Sequence, residues 1–127
     1  MLSKDTMEEK STTKNINYGT KSIDKINANI KKNERFFSFE FYPPRGAKGV
    51  ENLKKSLSKM VTWNPQWMDV TWGAGGTTSD LTPEICDYIQ NKIKGNCMMH
   101  LTCTNMPAEK VDIALKQAKN LGFKNIL

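Results

Sequence analysis

Residues 36 to 45 read FFSFEFYPPR, an alternating run that stops at two prolines. On an extended chain Phe37, Phe39 and Phe41 share one face, and Ser38 and Glu40 share the other. Pro43 and Pro44 end the run, because neither can donate to a strand ladder. An acid placed in such an aromatic strand costs desolvation energy, so Glu40 is the first residue for which a chemical role is sought.

The alternation returns further along the chain. Between Trp67 and Trp72, Met68, Val70 and Trp72 oppose Asp69 and Thr71; between Cys97 and Thr102, Met99 and Leu101 oppose Met98, His100 and Thr102. A further strand is expected from Phe123 to Leu127. Helical spacing fills the gaps. A helix over 47–61 carries Val50, Leu53, Leu57 and Met60 on one stripe, and one over 83–94 carries Ile85, Ile89 and Ile93, with Pro83 in its first turn. Pro107 opens a third, with Val111, Ala114, Leu115 and Ala118 inward, which ends at Leu121-Gly122. The strand starts at Phe36, Trp67, Cys97 and Phe123 recur about every thirty residues with one helix between them, the βα repeat of a parallel sheet.

An open sheet covered on both sides is apolar on both faces. Here one face is polar in three successive strands, which favours a (β/α)8 TIM barrel, an α/β fold of which the first three to four β/α units are present. Upstream, residues 1–21 are polar and expected to be a disordered tail. A short helix is expected from Ser22, which can cap it, with Ile23, Ile26 and Ile30 at helical spacing. Residues 22–127 form the domain.

Composition narrows the classes. The chain has 127 residues and a formal net charge of +6, enough for one modest core. Its positive charge is nearly all lysine, dispersed over helix surfaces as at Lys54, Lys55 and Lys59, which reads as a solvated face and not a nucleic-acid patch. Cys86, Cys97 and Cys103, with no secretory segment, suggest free thiols in a reducing cytoplasm. No apolar run approaches the roughly eighteen residues of a membrane span. Cys97, His100 and Cys103 have a metal-like spacing, but on a strand the cysteines point away from the histidine, so no metal site is expected.

Glu40, Thr71 and His100 lie on the polar face near the C-terminal ends of their strands, where barrel enzymes gather their active sites. Any one of them alone suits a structural role; three in register suggest a site. A carboxyl among aromatic rings is suited to proton donation. His100 is the only histidine, able to bind a ligand or to fill a barrel layer. GAGG, residues 73–76, offers either a close approach to backbone N–H groups or a plain βα turn. Trp72 either covers a flat ligand or packs under a helix.

Four motifs, FSFEFYPPR, DVTWGAGG, MHLTCTNMP and LGFKNIL, resemble in order and spacing the methylenetetrahydrofolate reductases, in their eukaryotic and fungal form, over Ile23 to Leu127. The resemblance implies a barrel holding FAD, which takes a hydride from NAD(P)H, with NADPH favoured, and passes it to 5,10-methylenetetrahydrofolate in one-carbon metabolism. It implies Glu40 as the general acid and Thr71, Trp72, Ala74 and His100 as cofactor contacts. It further implies a folate substrate and a homo-oligomer in the full-length form. The family continues past the NIL of LGFKNIL into further strands, so residues 22–127 are expected to be the N-terminal half of its catalytic barrel. The alternative reading is a catalytically inactive half barrel that binds flavin or nucleotide, or that pairs with a partner half through its open edges.

Overall fold

A computed structural model describes residues 19–127. The expected tail therefore lies, for residues 1–18, outside the described residues. Gly19 is buried, the Thr20 N–H donates to Asn96 Oδ1 (3.3 Å) and the Thr20 carbonyl accepts from Asn125 Nδ2 (2.9 Å). The packed region thus begins slightly before Ser22.

The elements follow as α1 (Ser22–Lys32), β1 (Phe39–Phe41), α2 (Ala47–Met60), β2 (Met68–Val70), α3 (Leu81–Asp87), β3 (Cys97–Met99) and α4 (Ala108–Asn120). The strands pair in parallel in the order β1-β2-β3, with Glu40 opposite Asp69 and Asp69 opposite Met98. Each regular strand is shorter than the alternation predicts, yet the ladder runs on. Gln66 N–H reaches the Phe37 carbonyl (2.9 Å), Thr71 N–H the Phe41 carbonyl (2.9 Å) and His100 N–H the Val70 carbonyl (3.0 Å). The expected fourth strand is reduced to one parallel bridge between Met99 and Ile126, extended by Leu101 N–H donating to the Leu127 carbonyl (2.8 Å).

The core lies on one side of this sheet. Met68, Val70, Cys97 and Met99 meet Leu57 of α2, Ile85 and Cys86 of α3, and Ala114 and Ala118 of α4, with Ile89 just beyond α3. Successive parallel strands joined by crossovers of one hand place their helices on one face, and the helical stripes fit that geometry. Two expectations differ. Leu115 is exposed, since α4 turns only Val111, Ala114 and Ala118 toward the sheet. In α1 the buried positions are Ser22 and Asn29, while Ile23 and Ile30 are open to solvent. Ser22 does not cap α1; Lys21 holds that position, and the Ser22 N–H donates to Asn125 Oδ1 (2.6 Å).

That contact belongs to a carboxamide network beneath the strand starts. Asn96 Nδ2 donates to the Gln66 carbonyl (3.2 Å), and Asn125 Nδ2 approaches Asn96 Oδ1 (3.3 Å) and the Cys97 carbonyl (3.1 Å). Both side chains are buried and partnered, so they join β2, β3 and the last segment to α1 without orphaned polar atoms.

The second crossover departs from a plain α-helix. It begins at Leu81, earlier than Pro83, because the Thr82 N–H already donates to the Thr78 carbonyl (2.9 Å). After Asp87 it widens into a π turn, Tyr88–Lys92, closed by Ile93 N–H on the Tyr88 carbonyl (3.0 Å). The extra residue lets Ile89 and Gln90 both face inward, and Gln90 Nε2 donates to the Gly122 carbonyl (3.0 Å), tying this turn to the end of α4.

Most lysines among the described residues are on helix surfaces, and three are paired there, Lys54 with Glu84 (2.7 Å), Lys55 with Glu51 (2.8 Å) and Lys116 with Asp112 (3.0 Å). Among the described residues no helix is long and apolar enough to cross a membrane.

Replacing Leu57, fully buried, by Ala removes core volume and is expected to cost about 3 kcal/mol in urea unfolding. Ile30→Ser, at an exposed site, is expected to stay within about 0.5 kcal/mol. The buried cysteines make a second forecast. Burial first, then the neighbouring Cys97 thiol and the Asp69 charge, push the Cys86 thiol well above its usual range. The unfolded thiol loses its proton at about pH 8.5 while the folded one keeps it, so stability is full below that pH and falls above it. Cys86→Ala is expected to flatten this alkaline fall. A thiol reagent is expected to label Cys103, the exposed cysteine, before Cys86 and Cys97.

Candidate functional site

The sheet face turned away from α2, α3 and α4 carries Glu40 from β1, Asp69 from β2 and His100 just after β3. Register makes them neighbours: Glu40 and Asp69 are paired residues, and His100 stands two residues beyond Met98, the partner of Asp69. The His100 ring lies between the two acids. Its Nδ1 is 3.9 Å from Glu40 Oε1 and its Nε2 is 3.2 Å from Asp69 Oδ1. The other Asp69 oxygen, Oδ2, accepts from Trp67 Nε1 at 2.8 Å.

Exposure differs across the trio. The side chains of Asp69 and His100 are 12% and 18% exposed, that of Glu40 55%. The expectation that Glu40 sits among aromatic rings is corrected here. Phe37, Phe39 and Phe41 stack on one another along the opposite face, with centroids 5.4 and 6.1 Å apart, and Phe39 also meets Trp63 (6.0 Å). The alternation that makes the strand aromatic is what takes those rings away from the acid. In the described residues the Glu40 carboxylate has solvent on one side and His100 on the other.

Thr71, on the same face, is committed to the backbone: its hydroxyl donates to the Phe41 carbonyl (2.8 Å), and its own carbonyl accepts from Thr82 Oγ1 (2.8 Å). Trp72 faces the other way. It is buried in the core beneath the helices, with Nε1 on Met106 Sδ (3.3 Å), so its ring is not brought together with His100. Ala74 is exposed at the start of a tight turn, Ala74–Gly76.

That turn is closed on itself. The Gly73 N–H donates to Thr78 Oγ1 (2.8 Å), which lies 2.9 Å from Thr82 Oγ1. Because the Thr82 hydroxyl donates to Thr71, the Thr78 hydroxyl is the donor between the two threonines. Gly76, Thr77 and Ser79 N–H groups also bond within the segment. The turn therefore uses for its own shape most of the donors that a phosphate cradle would need. Gly75 and Gly76 have φ of +65° and +79°, the left-handed region that glycine tolerates, and a side chain on Gly75 would meet open space.

Two carboxylates on opposite nitrogens of one ring cannot converge on a single ion, and among the described residues no group of three metal-ligating side chains forms. Cys97 is buried with its thiol toward Gln90 Oε1 (3.5 Å), whereas Cys103 is exposed. The trio can instead hold a proton: an exposed acid, an imidazole 3.9 Å from it, and a second acid 3.2 Å from that imidazole. Sequence reasoning placed Asp69 on the polar face but gave it no part in the site. Its signal was available in register, since an acid opposite Glu40 in the ladder stands beside it in space.

Residues 25–127 match the family profile described as methylenetetrahydrofolate reductase. Among curated proteins, the chain is 49% identical over 107 residues to "Methylenetetrahydrofolate reductase (NADH) 1" of Arabidopsis thaliana, covering 84% of the chain and 18% of that protein. It is 51% identical over 92 residues to "Methylenetetrahydrofolate reductase 1" of Schizosaccharomyces pombe (72% and 15%), and 27% identical over 113 residues to "Probable methylenetetrahydrofolate reductase (NADPH)" of Caenorhabditis elegans (82% and 16%). The chain thus spans less than a fifth of the length of these relatives. The expected preference for NADPH finds no support in these names, because the plant relative of higher identity carries NADH in its name. With the matched segment covering β1 to β3 and the whole Glu40–His100–Asp69 cluster, the chain belongs to the methylenetetrahydrofolate reductase family.

Proposed function

We propose that residues 22–127 are the N-terminal part of a (β/α)8 catalytic barrel that reduces 5,10-methylenetetrahydrofolate to 5-methyltetrahydrofolate. The reductant is a pyridine nucleotide, for which NADH is the better-supported form. The helix-free face of the sheet is the interior of that barrel, and its remaining strands pair with the β1 edge and with the segment ending at Leu127. The protein works in the cytoplasm.

The observation that carries this reading is the placement of Glu40, half exposed and 3.9 Å from His100, on the face opposite the core. Its role is general acid. Glu40 protonates a folate ring nitrogen, so that the five-membered ring opens to an electrophilic iminium ion ready to accept a hydride.

Bound FAD supplies the hydride relay between nicotinamide and folate. The chain offers it an exposed Ala74–Gly75 turn with open space over Gly75 and the accessible edge of His100. Thr71 and Trp72 support that surface from within, Thr71 by fixing β2 to β1 and Trp72 by anchoring the turn to the core. The family match and the names of the relatives support the substrate class.

In a full-length protein carrying this segment, Glu40→Gln is expected to lower methylenetetrahydrofolate reduction by about a hundredfold or more and to leave oxidation of the nicotinamide by the flavin near its original rate. Separate stopped-flow measurement of the two half-reactions checks this. Equal loss in both would remove Glu40 from the acid role.

A further inference from the structure

We propose that Asp69, held in turn by Trp67, is a positioning residue that keeps the neutral His100 ring protonated on Nε2, so that the Nδ1 lone pair faces the Glu40 carboxyl. This deepens the reading of the site given above and rests on it for its catalytic consequence.

An ionised carboxylate is an acceptor only, so a neutral imidazole beside it presents an N–H. At His100 the nitrogen facing Asp69 Oδ1 is Nε2, at 3.2 Å. The single ring proton of the neutral form therefore resides there, and Nδ1 becomes the acceptor. Nδ1 is the atom 3.9 Å from Glu40 Oε1. At 3.9 Å the two atoms are beyond direct hydrogen-bond distance, so the tautomer sets what the ring turns toward Glu40: a hydrogen-bond acceptor, complementary to an acid that donates a proton, and not a second N–H.

Trp67 prevents Asp69 from turning away. Its indole N–H donates to Oδ2 at 2.8 Å, shorter than the contact to His100, and Trp67 is itself braced by the Phe36 ring at 5.7 Å. Asp69 is buried and spans two donors, one on each oxygen. A carboxamide cannot replace it silently. In Asp69→Asn the side chain has one acceptor and one donor end, and the Trp67 N–H claims the oxygen. The amide NH2 then faces Nε2, which must accept, and the ring proton moves to Nδ1.

In a 15N-labelled full-length protein carrying this segment, the His100 signals are identified by their loss in His100→Gln, and its imidazole nitrogens are then read by a long-range 1H–15N correlation. At pH about 8.5, well above the ordinary imidazole range, wild type is expected to show a protonated-type shift at Nε2 and an unprotonated-type shift at Nδ1. Asp69→Asn is expected to exchange the two. The double variant Asp69→Asn/Trp67→Phe frees the amide to present its oxygen to His100 and is expected to restore the wild-type pattern. A merely structural Asp69 would lower stability without exchanging the nitrogens. Wild type protonated at Nδ1, or Asp69→Asn with an unchanged pattern in a folded protein, overturns the proposal. Should Asp69→Asn fail to fold, wild type decides alone: a slowly exchanging Nε2–H is required, and an even mixture of tautomers contradicts it. These spectra do not depend on turnover, so they stand or fall separately from the Glu40 half-reaction test.

Discussion

Parallel pairing in register, with every crossover helix on the same side, gives the three-stranded sheet one dry face and one wet one. The dry face needs Met68, Val70, Cys97 and Met99 to alternate with whatever the wet face requires. Shifting β2 by one residue would turn Asp69 under the helices and expose Met68 and Val70, an exchange costing these buried side chains roughly 1.5–3 kcal/mol each. Packing of the helices therefore fixes the register, and the register sets Glu40 opposite Asp69 with His100 beside them. The chemistry of the site is positioned by hydrophobic contacts on the other side of the sheet.

Much of this was legible in the sequence, because period-two and helical alternation both report burial. The α2 stripe of Val50, Leu53 and Leu57, the Ile85–Ile89 spacing in the second crossover and the strand parity correspond to the observed packing. Features that depend on partners distant in sequence were not legible. The isoleucines of α1 have helical spacing, yet the helix is oriented by Ser22 and its bond to Asn125, a polar contact that periodicity does not register. The π turn after α3 gives no local sign, since it arises from the need to bury both Ile89 and Gln90. Leu115 differs for a simpler reason: α4 meets the core through Ala114 and Ala118, with Val111 beside them, and Leu115 lies off that line.

The site was legible by residue and less so by environment. Glu40 and His100 meet, as their common face implied. The aromatic surroundings inferred for Glu40 came from neighbours in sequence, whereas in a strand those neighbours occupy the reverse face. What stands next to Glu40 is decided by pairing between strands, and that pairing brings in Asp69 and, through it, Trp67. The same distinction separates Trp72 from the site: adjacent to Thr71 in sequence, it is opposite to it in the sheet. Family membership is what supports the proposed substrate and redox partner, since the described residues by themselves give only the arrangement of Glu40, His100 and Asp69.

The account's central claim is that the helix-free face is the working face, and the most direct measurement is the dissociation constant for FAD in a full-length protein altered on each face in turn. His100→Ala on the polar face is expected to weaken FAD by about tenfold or more, equivalent to about 1.4 kcal/mol, with little change in the unfolding midpoint of the apoprotein. Val70→Ala, on the core face of the neighbouring strand, is expected to lower that midpoint and leave FAD affinity within about twofold, an effect of under 0.5 kcal/mol. Loss of FAD affinity from Val70→Ala alone, with His100→Ala silent, would contradict the account.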